Sequence, residues 1–315
     1  GMAAVFSSIV GIVGVVVCLR YEIAIMLPES NEEAANILGV SLLSVIIMTS
    51  LSALIVWLGN EKIISLLHAP QLKNYLWLVP VAIFIQGVFL ALNYWNSRTK
   101  HFGRLSVAQV ISALTTQTTK LVAGFSGLVS GGVLIGTSVL GIIASSGMLG
   151  AQIWRDDKKL FLDHIRWKSI GKGIVRYKKF ALLDTWGGLL NAISWQLPAL
   201  MLSSFFSISV VGFYALGLAV IKTPLSIMSG ALSQVFYQKA SNEKTIKGNN
   251  GKLVENLMDK LMFFGILPTA VLSMVGEELF TVVFGARWFE AGQYTQILAP
   301  WIFFWFISSP LSALF

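Results

Sequence analysis

Lysine, aspartate and amide side chains recur at helical spacing inside stretches that are otherwise apolar. Gln109, Ser112, Thr116 and Lys120 follow one another at intervals of three, four and four. Lys222, Ser226, Ser229 and Ser233 keep intervals of four, three and four, and so do Asp184, Gly188, Asn191 and Trp195. Such spacing puts each set on one face of a helix. Ammonium groups there would neutralise an anion, and hydroxyls, amides and the Trp195 indole would hydrogen-bond to or stack on a hydroxyl-rich ligand. Three polar faces on buried helices imply a hydrated cavity, because a charge in an apolar medium faces protein or water. The candidate substrate-binding residues are therefore Lys120, Lys222, Asn191, Trp195, Asp184, Gln109, Thr116 and Ser226. A second reading stands beside this one. Each lysine can instead reach a headgroup region along its own stem, or pair locally with Asp184. Asp184 lies close to one end of its apolar stretch, which favours an interfacial role.

Other chemistries find no support. His68, His101 and His164 are far apart in the chain and form no HExxH pair. No GxxxxGK[ST] loop and no GxSxG elbow occurs. Cys18 is the one cysteine and sits in an apolar run, so neither a disulfide framework nor a cysteine metal site is available. Asp156 and Asp157 form an acidic pair that could hold Mg²⁺ or lie solvated beside neighbouring lysines. No catalytic residue, metal or cofactor is expected, and the protein reads as something other than an enzyme.

The elements that position these residues follow from composition. Of 315 residues 55% are hydrophobic and 12% charged, half the charge of an ordinary soluble domain. The apolar residues gather into nine runs, near 2–19, 37–59, 75–95, 105–128, 131–153, 181–206, 209–232, 257–276 and 293–315. Each is about 20 residues long, as a hydrocarbon core of roughly 30 Å requires. The fourth and sixth are the least apolar. The expected fold is an all-α, polytopic membrane helical bundle. Residues 155–180 hold nine Lys/Arg against three Asp, a concentration that suits a cytoplasmic loop better than a nucleic-acid groove. Alternation then places 17 Lys/Arg in loops on that side and 3 on the other.

The stretches 57–70 and 274–288 each leave a run through glycine and pass through a short amphipathic segment. Each leads into an aromatic, proline-containing return run. Two parallel lobes are the expected consequence: an N-terminal lobe at 1–154, a basic connection at 155–180, and a C-terminal lobe at 181–315. Pro80, Pro198, Pro224, Pro268, Pro300 and Pro310 lie within runs, where proline bends or breaks helices. Both ends of the chain meet apolar runs, as in a piece of a longer carrier.

Several blocks carry a family resemblance. They are RYEIAIMLP at 20–28 with the acidic residues that follow, and Tyr94, Trp95, Asn96, Ser97 and Arg98. In the second half they are LPALMLSSFF at 197–206, VGFYAL at 211–216, QVFY at 234–237, FGARW at 284–288 and APWIFF at 299–304. The ordered set resembles polysaccharide-export flippases of the Wzx type, within the multidrug, oligosaccharidyl-lipid and polysaccharide exporter superfamily. The resemblance implies two pseudo-symmetric lobes of the multidrug-and-toxin-extrusion kind, with one helix preceding the first run and at least two following the last. It also implies transfer of an undecaprenyl-pyrophosphate-linked oligosaccharide across a bacterial inner membrane by alternating access, as in lipopolysaccharide O-antigen assembly. Lipid-linked oligosaccharide, membrane lipids and other polysaccharide-assembly proteins are the implied partners, and nucleic acid is not. A cation-coupled drug antiporter of the same fold is the alternative, but it should carry several intramembrane acids. A membrane polymerase or ligase is a second alternative, but it should carry one large outer loop with arginines and histidines.

Overall fold

The computed structural model describes residues 1–128, 130–246 and 251–312, with side chains for 1–128, 130–229, 255 and 257–309. Every regular element among the described residues is helical. The chain divides into two compact units, Gly1–Ile208 and Ser209–Phe315. The first contains α1 (Met2–Val16), the single turn α2 (Tyr21–Ala24), α3 (Asn31–Leu67), α4 (Leu78–Arg98), α5 (Phe102–Phe125), α6 (Gly131–His164), α7 (Trp167–Arg176) and α8 (Thr185–Phe205). The second contains α9 (Ile208–Ile246, its first residue in the first unit), α10 (Gly251–Phe284) and α11 (Phe289–Ser312).

Among the described residues each expected run falls mainly on one helix, and α2 and α7 are additional. Five stretches are long and apolar enough to cross a membrane: Asn31–Leu67, Leu78–Arg98, Gly131–His164, Ile208–Ser229 and Leu257–Phe284. α1 is apolar but only 15 residues long, while α5 and α8 are diluted by their polar stripes. Rows of leucine, isoleucine and phenylalanine lie exposed along these helices, among them Ile46, Ile47, Leu54, Ile55, Leu58, Phe263 and Leu267. A water-soluble protein does not display so much contiguous apolar surface. The chain is a multi-pass, all-α membrane protein.

The long helices outrun the bilayer. α3 has 37 residues, about 55 Å at 1.5 Å per residue against a core of about 30 Å. It starts early because Ser30 caps it, its hydroxyl accepting from the Glu33 N–H at 3.2 Å. The basic stretch 155–180, expected as a loop, is mostly helical: α6 continues to His164, α7 follows, and a π-turn at Phe180–Asp184 leads into α8. Once nucleated inside the membrane, a helix propagates into polar sequence at little cost until a cap stops it.

The core of the first unit gathers Tyr21, Ala24 and Ile25 with Ala35, Ile37 and Leu38 of α3. Trp95 of α4, with Leu149 and Ile153 of α6, completes it. The Tyr94–Arg98 segment organises it. Trp95 is fully buried, donates from its indole N–H to Asp157 Oδ2 at 2.8 Å, and packs on Phe161 with ring centres 5.1 Å apart. Asp156 pairs with Arg104 and Arg155, so both acids of the pair are engaged by neighbouring side chains. Arg98 closes the turn between α2 and α3. Its guanidinium donates to the carbonyls of Ile25 (3.0 Å), Ser30 (3.1 Å) and Glu29 (3.4 Å) and to Asn31 Oδ1 (3.2 Å).

The second unit packs Ile221 and Leu225 of α9 with Leu257 and Leu261 of α10 and Ala299, Ile302 and Phe306 of α11. α10 and α11 approach closely where Gly292 meets the Gly276 carbonyl, which a Cβ on Gly292 would reach at 2.6 Å. α10 breaks at Val275 (φ −123°, ψ 24°), about two turns beyond Pro268. The two stretches that look alike in sequence both pass from a long helix through a 3₁₀ turn into a return helix, with different dihedrals at the turn. In the first, His68 turns left-handed (φ 47°) after α3, and a 3₁₀ turn, Pro70–Tyr75, precedes α4. In the second, Gly285 has φ 94° after α10, and the 3₁₀ turn Ala286–Trp288 precedes α11.

An ammonium group cannot span four acceptors as a planar guanidinium does. Arg98→Lys should therefore lower the stability of the detergent-solubilised protein by about 1–2 kcal/mol, read as a drop in thermal-unfolding midpoint. An unchanged midpoint would show that the clamp is dispensable.

Candidate functional site

A charged cluster inside the first unit joins the α1–α2 connection to the head of α8. Leu19 and Arg20 are both left-handed (φ 49° and 61°), a conformation that costs non-glycine residues about 1 kcal/mol or more each. This turn reverses the chain and aims Arg20 at the π-turn, where its Nε lies 3.1 Å from Asp184 Oδ2. A Cβ on Gly188, one helical turn further on, would lie 2.9 Å from Arg20 Nη2, so the glycine leaves room for the guanidinium. Arg20 Nη1 is also 3.9 Å from Glu22 Oε1. The Glu22 side chain is 1% exposed, and neither of its oxygens accepts a hydrogen bond from another residue. Burial pushes this carboxyl up from its ordinary 4.5 to about 7; Arg20 opposes the rise and Asp184 adds to it.

The polar stripes divide. On α5, Ser112 and Thr116 face Gly141 of α6 so closely that a side chain there would collide with both. The middle of this stripe serves helix–helix packing through small residues. Lys120 is half-buried at its C-terminal end and Gln109 is exposed at the other. On α8, Asp184 and Gly188 meet Arg20, while Asn191 is exposed and Trp195 half-buried. In the second unit, Lys222 of α9 places its ammonium 5.1 Å from the centre of the Trp305 ring, a cation–π contact. Ser226 is exposed and donates to the Thr223 carbonyl at 2.8 Å, and Ser229 is buried. The side chain of Ser233 lies outside the described residues. Within the first unit, then, Asp184 is joined to Arg20, while Asn191 and Trp195 follow on the same face of α8.

Sequence reasoning left Arg20 and Glu22 out of the site. The available signal was an arginine and a glutamate at a span end with a lone acid, Asp184, in need of a counter-charge. Two amides were missed as well. Gln196 of α8 lies over Gly11 of α1 and Gln86 of α4 over Gly14, where added Cβ atoms would be 2.6 and 2.8 Å from the respective Nε2 atoms. The two glycines sit three residues apart on one face of α1.

A second polar feature lies where α7 straps onto α3. Asn36 donates to the His164 carbonyl at 3.0 Å and accepts from the Arg166 N–H at 3.1 Å, closing the end of α6. Tyr21 donates its hydroxyl to the Ile174 carbonyl at 3.2 Å, and Arg176 pairs with Glu33 at 2.7 Å. A cavity of about 600 Å³ between these helices is lined by Glu32, Glu33, Asp163, His164, Arg166 and Lys172, among others. Its charges are mixed and largely neutralise one another, so it selects no ligand sign.

The buried carboxyl has a measurable consequence for stability. Below about pH 4.5 Glu22 is protonated both folded and unfolded. Between about 4.5 and 7 the unfolded chain releases the proton while the native state retains it. The native state therefore binds more protons, and the stability that Glu22 contributes falls as pH rises through this window. Glu22→Gln should raise the unfolding midpoint at pH 8 and leave it unchanged at pH 4.5. A difference of the same size at both pH values would place the effect in packing instead.

Comparison with curated proteins and with solved structures gives no match. Comparison with protein families does. The family described as polysaccharide biosynthesis protein matches residues 1–293, a span that includes the Arg20–Glu22 turn, the Tyr94–Arg98 segment, all of the first unit and most of the second. This chain, a multi-pass bundle with charged groups set among its helices, belongs to the polysaccharide biosynthesis protein family.

Proposed function

We propose that the protein is a carrier that moves an anionic, undecaprenyl-pyrophosphate-linked oligosaccharide across the bacterial inner membrane, from the cytoplasmic to the outer leaflet. The observation that carries this reading is a polysaccharide family match over a multi-pass chain whose helices carry lysines, Lys222 within the apolar part of α9 and Lys120 near the C-terminal end of α5. Charge within a span is expensive, by roughly 2.5–3.5 kcal/mol at the bilayer centre on insertion scales. It is retained where it meets an opposite charge or water.

In this reading the two lysines neutralise the pyrophosphate. Gln109, Thr116, Asn191, Trp195 and Ser226 engage sugar hydroxyls and ring faces, while the polyprenyl tail stays in lipid. The basic stretch 155–180 faces the cytoplasm, following the bias of Lys/Arg across the loops. Two lobes alternate access, with helices bending at points such as the Val275 break in α10 and the π-turn before α8. Binding and reorientation suffice, and no bond is made or broken.

The test is transport by the full-length protein in liposomes, with a fluorescent lipid-linked oligosaccharide and an impermeant quencher added outside. Wild type should expose the label to the quencher, and Lys222→Ala, expressed and folded to the same extent, should slow exposure about 10- to 100-fold. That range corresponds to one charge-assisted hydrogen bond of about 1.5–3 kcal/mol. Equal rates would remove Lys222 from the site, and absence of exposure with wild type would overturn the carrier reading.

A further inference from the structure

We propose that α7 is an interfacial helix whose uncovered side binds anionic phospholipid headgroups in the leaflet it meets. Its residues sort onto two sides. Ile170 and Gly173 of the helix and Tyr177 just beyond its end, spaced by three and four, are buried. They pack on α3: a Cβ on Gly39 would lie 3.3 Å from Ile170 Cδ1, and one on Gly173 2.7 Å from Ile37 Cδ1. The Tyr21 hydroxyl on the Ile174 carbonyl and the Arg176–Glu33 pair hold the same seat. The opposite side is uncovered. Trp167 is 78% exposed and Val175 65%, and Lys168, Lys178 and Lys179 are exposed beside them.

The seat fixes the depth of the helix. Ile37, Gly39 and Val40 form the first turn of the apolar run in α3, and Glu32 and Glu33 lie just ahead of that run. α7 therefore lies where hydrocarbon gives way to headgroups. Leu182, Leu183 and Trp186 follow it in the chain and are exposed as well. In water an uncovered apolar surface of this kind favours aggregation. At a membrane boundary the indole and the valine enter the acyl edge, while the lysines reach outward along their own stems.

The lysines decide the sign of the headgroup. Arg155 and Arg176 are answered by Asp156 and Glu33, whereas Lys168, Lys178 and Lys179 pair with no carboxylate among the described residues. Lys172 borders the cavity of mixed charge and is not counted with them. Uncompensated ammonium groups beside an apolar flank complement a bilayer surface of net negative charge, which attracts basic side chains within a Debye length. The bilayer is already present at this depth, which favours it over an acidic protein as the occupant. The proposal needs only a membrane-spanning chain and does not rest on the carrier reading.

The experiment is contact quenching in the full-length protein, held in nanodiscs of phosphatidylcholine and phosphatidylglycerol in equal amounts. Cys18→Ala removes the native thiol, and a fluorophore is attached at Val175→Cys. Bromine is carried on the acyl chains of one lipid or of the other. Either brominated lipid should quench, because the label sits at the acyl edge. Brominated phosphatidylglycerol should quench about two- to fivefold more, the upper value being roughly what one lysine near an anionic surface supplies. Changing Lys168, Lys178 and Lys179 together to glutamine should make the two equal. If that variant does not fold, high salt on the labelled parent takes its place and should remove the preference by screening. Absence of quenching by either lipid would overturn the proposal and leave the basic side to an acidic protein. Equal quenching in the parent, or a preference that survives loss of the charges or high salt, would overturn it too. So would a preference abolished by inorganic phosphate at constant ionic strength, which would make the ligand a soluble anion.

Discussion

The structure depends on one constraint: in a medium without water, a polar group that lacks a partner destabilises the fold by several kcal/mol. Helices satisfy their own interiors but not their ends. In the first unit several ends are closed by a side chain from a remote element. Arg98 covers the carbonyls between α2 and α3, and Asn36 covers both sides of the break between α6 and α7. Tyr21 takes a carbonyl of α7, and Ser203 of α8 donates to the Leu67 carbonyl at the end of α3 at 2.6 Å. These links join elements more than 60 residues apart in the chain, so the same bonds that complete the helices also fix how they meet.

Glu22 is where that constraint is least fully met, its oxygens accepting no hydrogen bond from another residue. The carboxyl is buried beside a cation that is committed mainly to another acid. Two acids share one guanidinium at this point. It sits within the matched family span and at the junction of α1 with α8, the two helices that also meet through Gly11 and Gln196.

Much of the bundle was legible in the sequence because bilayer thickness fixes how long an apolar run must be. The helix ends were less so. α3 begins six residues before its apolar run and ends eight after it, because Ser30 and the acidic first turn extend it with local hydrogen bonds that hydropathy does not register. The basic stretch 155–180 reads as loop by charge, yet the continuation of α6 and the docking of α7 make most of it helical. The stripes at Gln109–Lys120 spacing were legible as faces, but their partners were not. Thr116 meets Gly141, which no spacing rule connects to it. Asp184 was visible as a lone acid, while its partner Arg20 lies 164 residues earlier, beyond the reach of any periodicity.

The central claim is that the protein recognises a pyrophosphate-linked sugar lipid, and native mass spectrometry of the full-length protein tests it most directly. The protein would be presented with an undecaprenyl-pyrophosphate oligosaccharide and an excess of zwitterionic phospholipid. The account predicts one retained sugar-lipid adduct that survives the competition and is weakened when Lys120 and Lys222 are neutralised together. Retention no stronger than that of bulk phospholipid, or unaffected by the loss of both lysines, would contradict it.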